Sequence, residues 1–209
     1  MFNPWHTASA AGASAILARS GNGSSSMVRI YTKRGDDGTT GLLYGGRVSK
    51  GGPVPEASGS VDEAVSDLGV ARAACEDASL AGELLRLHRE LFVAGADLAT
   101  NPAERAKLEP GVSLVTAAMV ERLEELIDAT VEAHPLPDVF VVPGSTPLEA
   151  ALDVARTSVR RAERMAVQLA GVGEHPVNPE VLRYLNRLSD LLFVLGRAHA
   201  GGPEPPSRG

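Results

Sequence analysis

The sequence predicts an all-α protein, a five-helix bundle led in by an extended glycine-rich segment. Three observations support this. Aromatic residues make up only 4% of the 209 residues, and the apolar mass is Leu, Val and Ala, which suits packed helices better than a β-sandwich. From Ser60 onward, apolar residues recur in segment after segment at the i, i+3, i+4 and i+7 spacing of one helix face. From Met27 to about Pro55, glycines and prolines come too often for a long helix, so that stretch reads as extended chain and loop.

Residues 1–26 are rich in Ala, Ser and Gly, lack acidic residues and end in Gly21-Asn22-Gly23-Ser24-Ser25-Ser26. They read as a disordered extension ahead of a folded domain over 27–200. Ser60 and Glu63 form a capping box before Val61, Ala64, Val65 and Leu68, which predicts a first helix running to about Asp77. Leu84, Leu87, Leu91 and Leu98 mark a second helix, ending near Thr100-Asn101-Pro102. The stripe Leu114, Ala117, Ala118, Leu123 and Leu126 predicts a third, closed by His134-Pro135. Asp138 to Gly144 is short, apolar and β-branched, the one place where a strand-like segment is expected. Thr146 as N-cap, Pro147 at the first helical position and Glu149 at the third open a fourth helix, to about Gly171. Asn178-Pro179 repeats the device for a fifth, to about Ala200, and the proline-rich tail 201–209 is expected to be disordered.

Net charge of −6 and a pI near 5.4 argue against nucleic acid or an anionic membrane as the main partner, so any anion needs a local basic pocket. No apolar run approaches the ~18 residues of a membrane span. The single Cys75 excludes an internal disulfide and fits a reducing cytoplasm. The five histidines show no metal-ligand spacing.

The run Thr32-Lys33-Arg34-Gly35-Asp36-Asp37-Gly38-Thr39-Thr40-Gly41 has the composition of a backbone cradle for phosphate oxygens, or of a surface turn. It matches neither the P-loop nor the dinucleotide fingerprint. Arg156, Arg160 and Arg164 stack at i, i+4 and i+8 on helix four; such a stripe is either solvated or faces an anion, and Glu163 stands where it could neutralise one arginine. On helix five, Asn186, Ser189, Asp190, Phe193 and Arg197 share a face beside a leucine stripe.

Five ordered motifs carry a family resemblance: T-K-R-G-D-D-G-T-T-G-L at 32–42, V-D-E at 61–63, V-x-P-G-S-T at 141–146, A-R-T-x-x-R-R-A-E-R at 155–164 and Y-L-N-R-L-S-D-L-L-F at 184–193. Together they resemble the PduO-type ATP:cob(I)alamin adenosyltransferases; the pattern departs at Ser58, Gly59, Ala64 and Val65. The resemblance implies a homotrimer with ATP bound between neighbouring subunits. It assigns Thr32, Lys33, Gly35, Asp36, Gly38, Thr39, Thr40, Lys50, Arg160, Glu163, Arg164 and Asn186 to ATP, Phe140 and Phe193 to the corrinoid, and Asp62 with Arg156 to an ion pair between chains. Cob(I)alamin is itself a powerful nucleophile, so no protein base is required. Lys33, Arg160 and Mg2+ would steady the departing triphosphate, and Phe140 would exclude the lower axial ligand of cobalt. A reductase and an adenosylcobalamin-dependent client enzyme are the implied partners. Two other readings stay open: an ATP-gated adenosylcobalamin carrier, and a nucleotide hydrolase without corrinoid, which a Phe140 buried away from any cavity would favour.

Overall fold

The computed structural model describes residues 31–208. The expectations for residues 1–26, and for Met27 as the start of the folded chain, lie outside them. Two short antiparallel strands, β1 (Thr39–Gly41) and β2 (Arg47–Ser49), are followed by α1 (Pro53–Ala73), α2 (Ala78–Leu98), a 3-10 turn (Pro102–Lys107), α3 (Ala117–Ala133), α4 (Pro147–Val172) and α5 (Pro179–Ala198).

The expected helices form, with three shifted ends. α1 starts at Pro53, not at Ser60, because Pro53 and Pro55 both fall in the first turn, where no backbone N–H is needed. Ser60 is then mid-helix, and its hydroxyl donates back to Glu56 O at 2.9 Å instead of capping. α1 stops at Ala73, and Asp77 serves α2, its Oδ1 accepting Leu80 N at 2.8 Å. α3 begins at Ala117, leaving Leu114 in the preceding loop. Thr146 and Asn178 cap α4 and α5 as expected, accepting Glu149 N and Glu180 N at 3.1 Å each.

Two expectations fail. The sheet lies in the glycine-rich segment, where Thr40 opposes Val48, while Val141 in the 138–144 stretch makes only one isolated bridge. That bridge is to Pro206, so the tail is not loose through its described residues. Val142 N donates to Pro205 O at 2.9 Å and Ser207 N to Phe140 O at 2.7 Å. Three prolines made the tail look structureless, but a residue without an N–H can still accept through its carbonyl.

Packing is most extensive between α1 and α4, followed by α4 on α5, α1 on α2, and α5 on α3. The faces that α1 and α4 bury are dominated by small side chains, including Ala57, Ser60, Ala64 and Ala71 on one and Ala151, Ala155, Ser158, Ala162 and Ala166 on the other. Small residues let the two backbones approach. The pair is antiparallel: the Ser158 hydroxyl donates to Asp67 Oδ2 and Arg161 pairs with Glu63. α5 runs antiparallel to α4, with Asn186 donating to Glu163 at 3.1 Å and Arg197 paired with Glu149. Tyr184, fully buried in α5, donates to Glu90 Oε2 of α2 at 3.0 Å, and burial raises its pKa well above 10.

One end of the bundle is closed around Asp97, which is 1% exposed. Its carboxylate accepts Arg105 Nη2 at 2.6 Å, Asn178 Nδ2 at 2.7 Å and Val115 N at 3.1 Å, joining the 3-10 turn, the start of α5 and the loop before α3. Nearby, the buried His175 ring places Nε2 2.9 Å from Leu98 O.

Asp97→Ala should destabilise the fold by about 3 kcal/mol or more, since three donors lose a charged acceptor and Arg105 its partner, as urea unfolding would measure. Burial lowers the pKa of His175 from its ordinary 6.5, with Arg105 acting in the same direction. The unfolded chain therefore protonates first, so this contribution is present above the ordinary value and lost as pH falls through it towards the lower folded value. Wild type should lose more stability on acidification between about pH 7 and pH 5 than His175→Gln, read as the shift in urea midpoint.

Candidate functional site

The glycine-rich segment is a structured hairpin. β1 and β2 are joined by a turn in which Leu42 N donates to Gly46 O at 3.1 Å, and Gly45 and Gly46 take φ of 100° and 83° that suit glycine. Leu43 anchors the turn on the end of α2: its N donates to Ala99 O at 2.9 Å, and Asn101 N donates to its O at 3.0 Å. Lys33 sits at φ 60°, a left-handed position for a residue with a side chain, and Gly38 at 78°. Lys50 reaches back under the loop, its Nζ donating to Gly35 O at 2.7 Å.

Two residues that the sequence reading did not select hold this hairpin together. Asp37 Oδ1 accepts the Thr39 N at 2.9 Å and the Thr39 hydroxyl at 2.7 Å, which hold its carboxyl below the usual range, with Arg47 adding to the effect. Arg47 Nε donates to Thr39 Oγ1 at 2.9 Å, and its Nη2 to Arg34 O. The signal was present as an acid and a base ten residues apart across a two-strand turn, but it needs the strand register to be read.

The second half of the site is an open cavity of about 460 Å³ between α3, α4 and α5. Ile127, Val131, Leu136, Phe193 and Val194 give it a mainly apolar wall, while Arg156, Arg160, Ser189 and Asp190 bring its polar groups. Arg156 Nε donates to Asp153 at 2.8 Å. Glu163 does not neutralise a neighbouring arginine, because its carboxylate accepts from Asn186 instead. Among the described residues no acidic side chain pairs with Arg160, whereas Arg164 turns its Nη1 to Arg160 O at 3.0 Å. Phe193 stands at the cavity with the Arg197 guanidinium 5.3 Å above its ring. Phe140 is 87% exposed, so it is not a core residue, and Asp62 is also exposed.

The expected site residues thus fall into two groups. Thr32, Lys33, Gly35, Asp36, Gly38, Thr39, Thr40 and Lys50 share the hairpin, which leads into the start of α1. Because α1 is antiparallel to α4, that end lies where α4 finishes. Phe140, in contrast, precedes α4 and lies at the opposite end. α4 has 26 residues and is about 39 Å long at 1.5 Å per residue, so one chain does not bring the hairpin and Phe140 together. Arg160 lies midway, and the Asp62–Arg156 pair does not form within one chain, where Arg156 holds Asp153.

The family model for cobalamin adenosyltransferase matches residues 30–199. This chain belongs to that family. It is 45% identical over 174 residues to a corrinoid adenosyltransferase of Mycobacterium tuberculosis, covering 82% of this chain and 88% of the relative. A Bacillus subtilis corrinoid adenosyltransferase is 40% identical over 174 residues, covering 81% and 86%. A variant of the PduO-type ATP:corrinoid adenosyltransferase from Lactobacillus reuteri, complexed with cobalamin and ATP, superposes with a TM-score of 0.78 at 35% identity, covering 87% of this chain and 100% of that one. A further variant of that enzyme, complexed with ATP, gives 0.75 at 35% identity, covering 85% and 99%.

In this adenosyltransferase the hairpin should be locally separable from the bundle. Arg47→Ala should speed hydrogen exchange of the amides in residues 38–50 while leaving the midpoint of global unfolding nearly unchanged, since Arg47 is exposed and bonds only within the loop.

Proposed function

We propose that this chain, assembled as a homotrimer, transfers the 5′-deoxyadenosyl group of ATP to cob(I)alamin, with the glycine hairpin of one subunit and the α4 arginines of its neighbour closing on one ATP. The observation that carries this is the apolar cavity flanked by Arg160, which pairs with no acidic side chain among the described residues, a place where a flat apolar macrocycle and a triphosphate would meet. The separation of hairpin and Phe140 by the length of α4 supports a site shared between copies.

The lone pair of Co(I) attacks C5′ of ATP, the C5′–O bond breaks, its electrons leave with the triphosphate, and a Co–C bond forms. The protein supplies no base. Arg160 faces charge that grows on the leaving group, so it stabilises the transition state more than the bound substrate. Lys33, exposed and at a left-handed position of the turn, meets charge already present in ATP. Thr39 and Thr40 add hydroxyl donors, and Asn186, which donates to Glu163, would contact the nucleoside. Asp62 and Arg156 pair across the interface once Asp153 is exchanged for the neighbour. Mg2+ would supply charge neutralisation on the phosphates. Asp36 and Thr40 of the hairpin, a carboxylate and a hydroxyl, are the oxygen donors that would hold such an ion. Phe140, exposed in the single chain, is free to cover the lower face of the corrinoid and keep water or the intrinsic base off cobalt. Its exposure removes the reason for preferring a hydrolase without corrinoid. Delivery of the product to a client enzyme, and a reductase upstream, complete the reading; no helix among the described residues is long and apolar enough to cross a membrane.

Anaerobic incubation with chemically reduced cobalamin and ATP should give the Co–C product by absorbance, and no product would overturn the reading. Arg160→Ala should lower kcat more than it raises the KM for ATP, whereas Lys33→Ala should chiefly raise that KM by about ten- to hundredfold, the loss of one charged hydrogen bond. Light scattering should find a trimer at micromolar concentration. Phe140→Ala should leave ATP affinity nearly unchanged and lose far more activity from Co(II) plus reductant than from preformed Co(I); equal losses would return Phe140 to a packing role.

A further inference from the structure

The segment after α5 doubles back across the loop that carries Phe140. Gly201 makes the reversal at φ 76°, and a Cβ there would lie 3.2 Å from Thr146 Cγ2, so the position favours glycine twice over. Ser207 N then donates to Phe140 O, and Val142 N to Pro205 O. The Phe140 side chain, 87% exposed, has almost nothing else to hold it.

Beneath this bridge lies a cluster of charges shut off from solvent. Arg197 pairs with Glu149 and, at 3.0 Å, with Glu204; their side chains are 5%, 0% and 5% exposed. The Glu149 carboxylate also accepts Gly144 N and, at 3.0 Å, Ser145 N. One guanidinium therefore holds both roots: the loop after Phe140 through Glu149, and the tail through Glu204. The same guanidinium lies over Phe193, which lines the cavity. Burial raises the pKa of Glu204, which Arg197 opposes. Arg197 thus links Glu149 at the root of the loop, Glu204 in the tail and Phe193 at the cavity.

The geometry points to Arg197 and Glu204 as positioning residues, and to residues 201–207 as a strap that sets the Phe140 loop beside the cavity. Exclusion of an axial ligand depends on where the ring sits, because a ring that samples several places leaves the cobalt open for part of the time, whereas a strapped one does not. The inference rests on the reading that Phe140 covers the lower face of the corrinoid.

Two variants of the full chain test it: deletion of 203–209, and Glu204→Gln, which keeps the shape and removes the charge. Three readouts are needed: hydrogen exchange at the Val142 amide, ATP affinity, and the fraction of four-coordinate Co(II)cobalamin with ATP by electron paramagnetic resonance. In the deletion, Val142 should exchange faster and the four-coordinate fraction should fall by about tenfold, or 1.4 kcal/mol, with ATP affinity held within about twofold. Glu204→Gln should shift the same two readouts in the same direction by less. An unchanged four-coordinate fraction in the deletion would overturn the positioning role, and unchanged exchange at Val142 would overturn the strap itself. A wild type that never yields four-coordinate Co(II), with exchange still altered by the deletion, would instead overturn the assignment of Phe140 and leave the strap standing as structure.

Discussion

The antiparallel contact of α1 with α4 decides where everything else lies. Its small side chains face one another over the most extensive contact of the bundle, and two polar links, Ser158 with Asp67 and Arg161 with Glu63, fix the register. A hairpin that feeds directly into α1 is then carried to the end of α4, and the loop that feeds α4 to the other end. The stripe Arg156, Arg160 and Arg164 is turned by the same contact: Ala155, Ser158, Val159 and Ala162 go inward, and the arginines go round towards α5 and the neighbouring surface. The separation of the hairpin from the Phe140 loop is thus a consequence of helix direction.

Two loop roots are closed by buried carboxylates. Asp97 gathers the turn after α2, the loop before α3 and the cap of α5. Glu149 gathers the loop before α4 and, through Arg197, the tail. A buried charge that met only one partner would be expensive; here each carboxylate accepts several donors from different segments, so its desolvation is offset only when all those segments are in place. Such clusters select one arrangement of the loops more than they add stability, which suits a protein whose chemistry depends on where loops sit.

The helices were legible because their signals are local: Thr146-Pro147-Leu148-Glu149 and Asn178-Pro179 cap helices without reference to the rest of the chain. The start of α1 was misread because Ser60 and Glu63 fit a capping box, and nothing local says that Pro53 and Pro55 lie in an earlier first turn. Thr39 to Gly41 and Arg47 to Ser49 were hidden as strands by their glycines, since pairing across a turn compensates for weak propensity. The buried partnerships of Asp97, Glu149 and Arg197 were not legible, because their partners lie up to 81 residues away in sequence. The arginine stripe was read correctly as one face, but its neighbours were not: Glu163 belongs to Asn186, which leaves Arg160 without a local carboxylate.

If the hairpin takes the triphosphate as proposed, its two lysines would differ in what an arriving ligand gains from them. Lys33 is exposed on a left-handed turn, so its ammonium exchanges only water for phosphate oxygen. Lys50 is half-buried and already donates to Gly35 O, and to reach a phosphate it must give up that bond and leave a loop carbonyl unsatisfied until the loop rearranges. Its net contribution to affinity is therefore the difference between two hydrogen bonds, whereas that of Lys33 is the exchange of water for a charge. The bond to Gly35 has its own consequence: before ATP arrives it keeps the loop folded, so that less conformational entropy is lost on binding. On the proposed reading Lys33 would thus act on the bound state and Lys50 mainly on the free one, although both stand in the same hairpin segment.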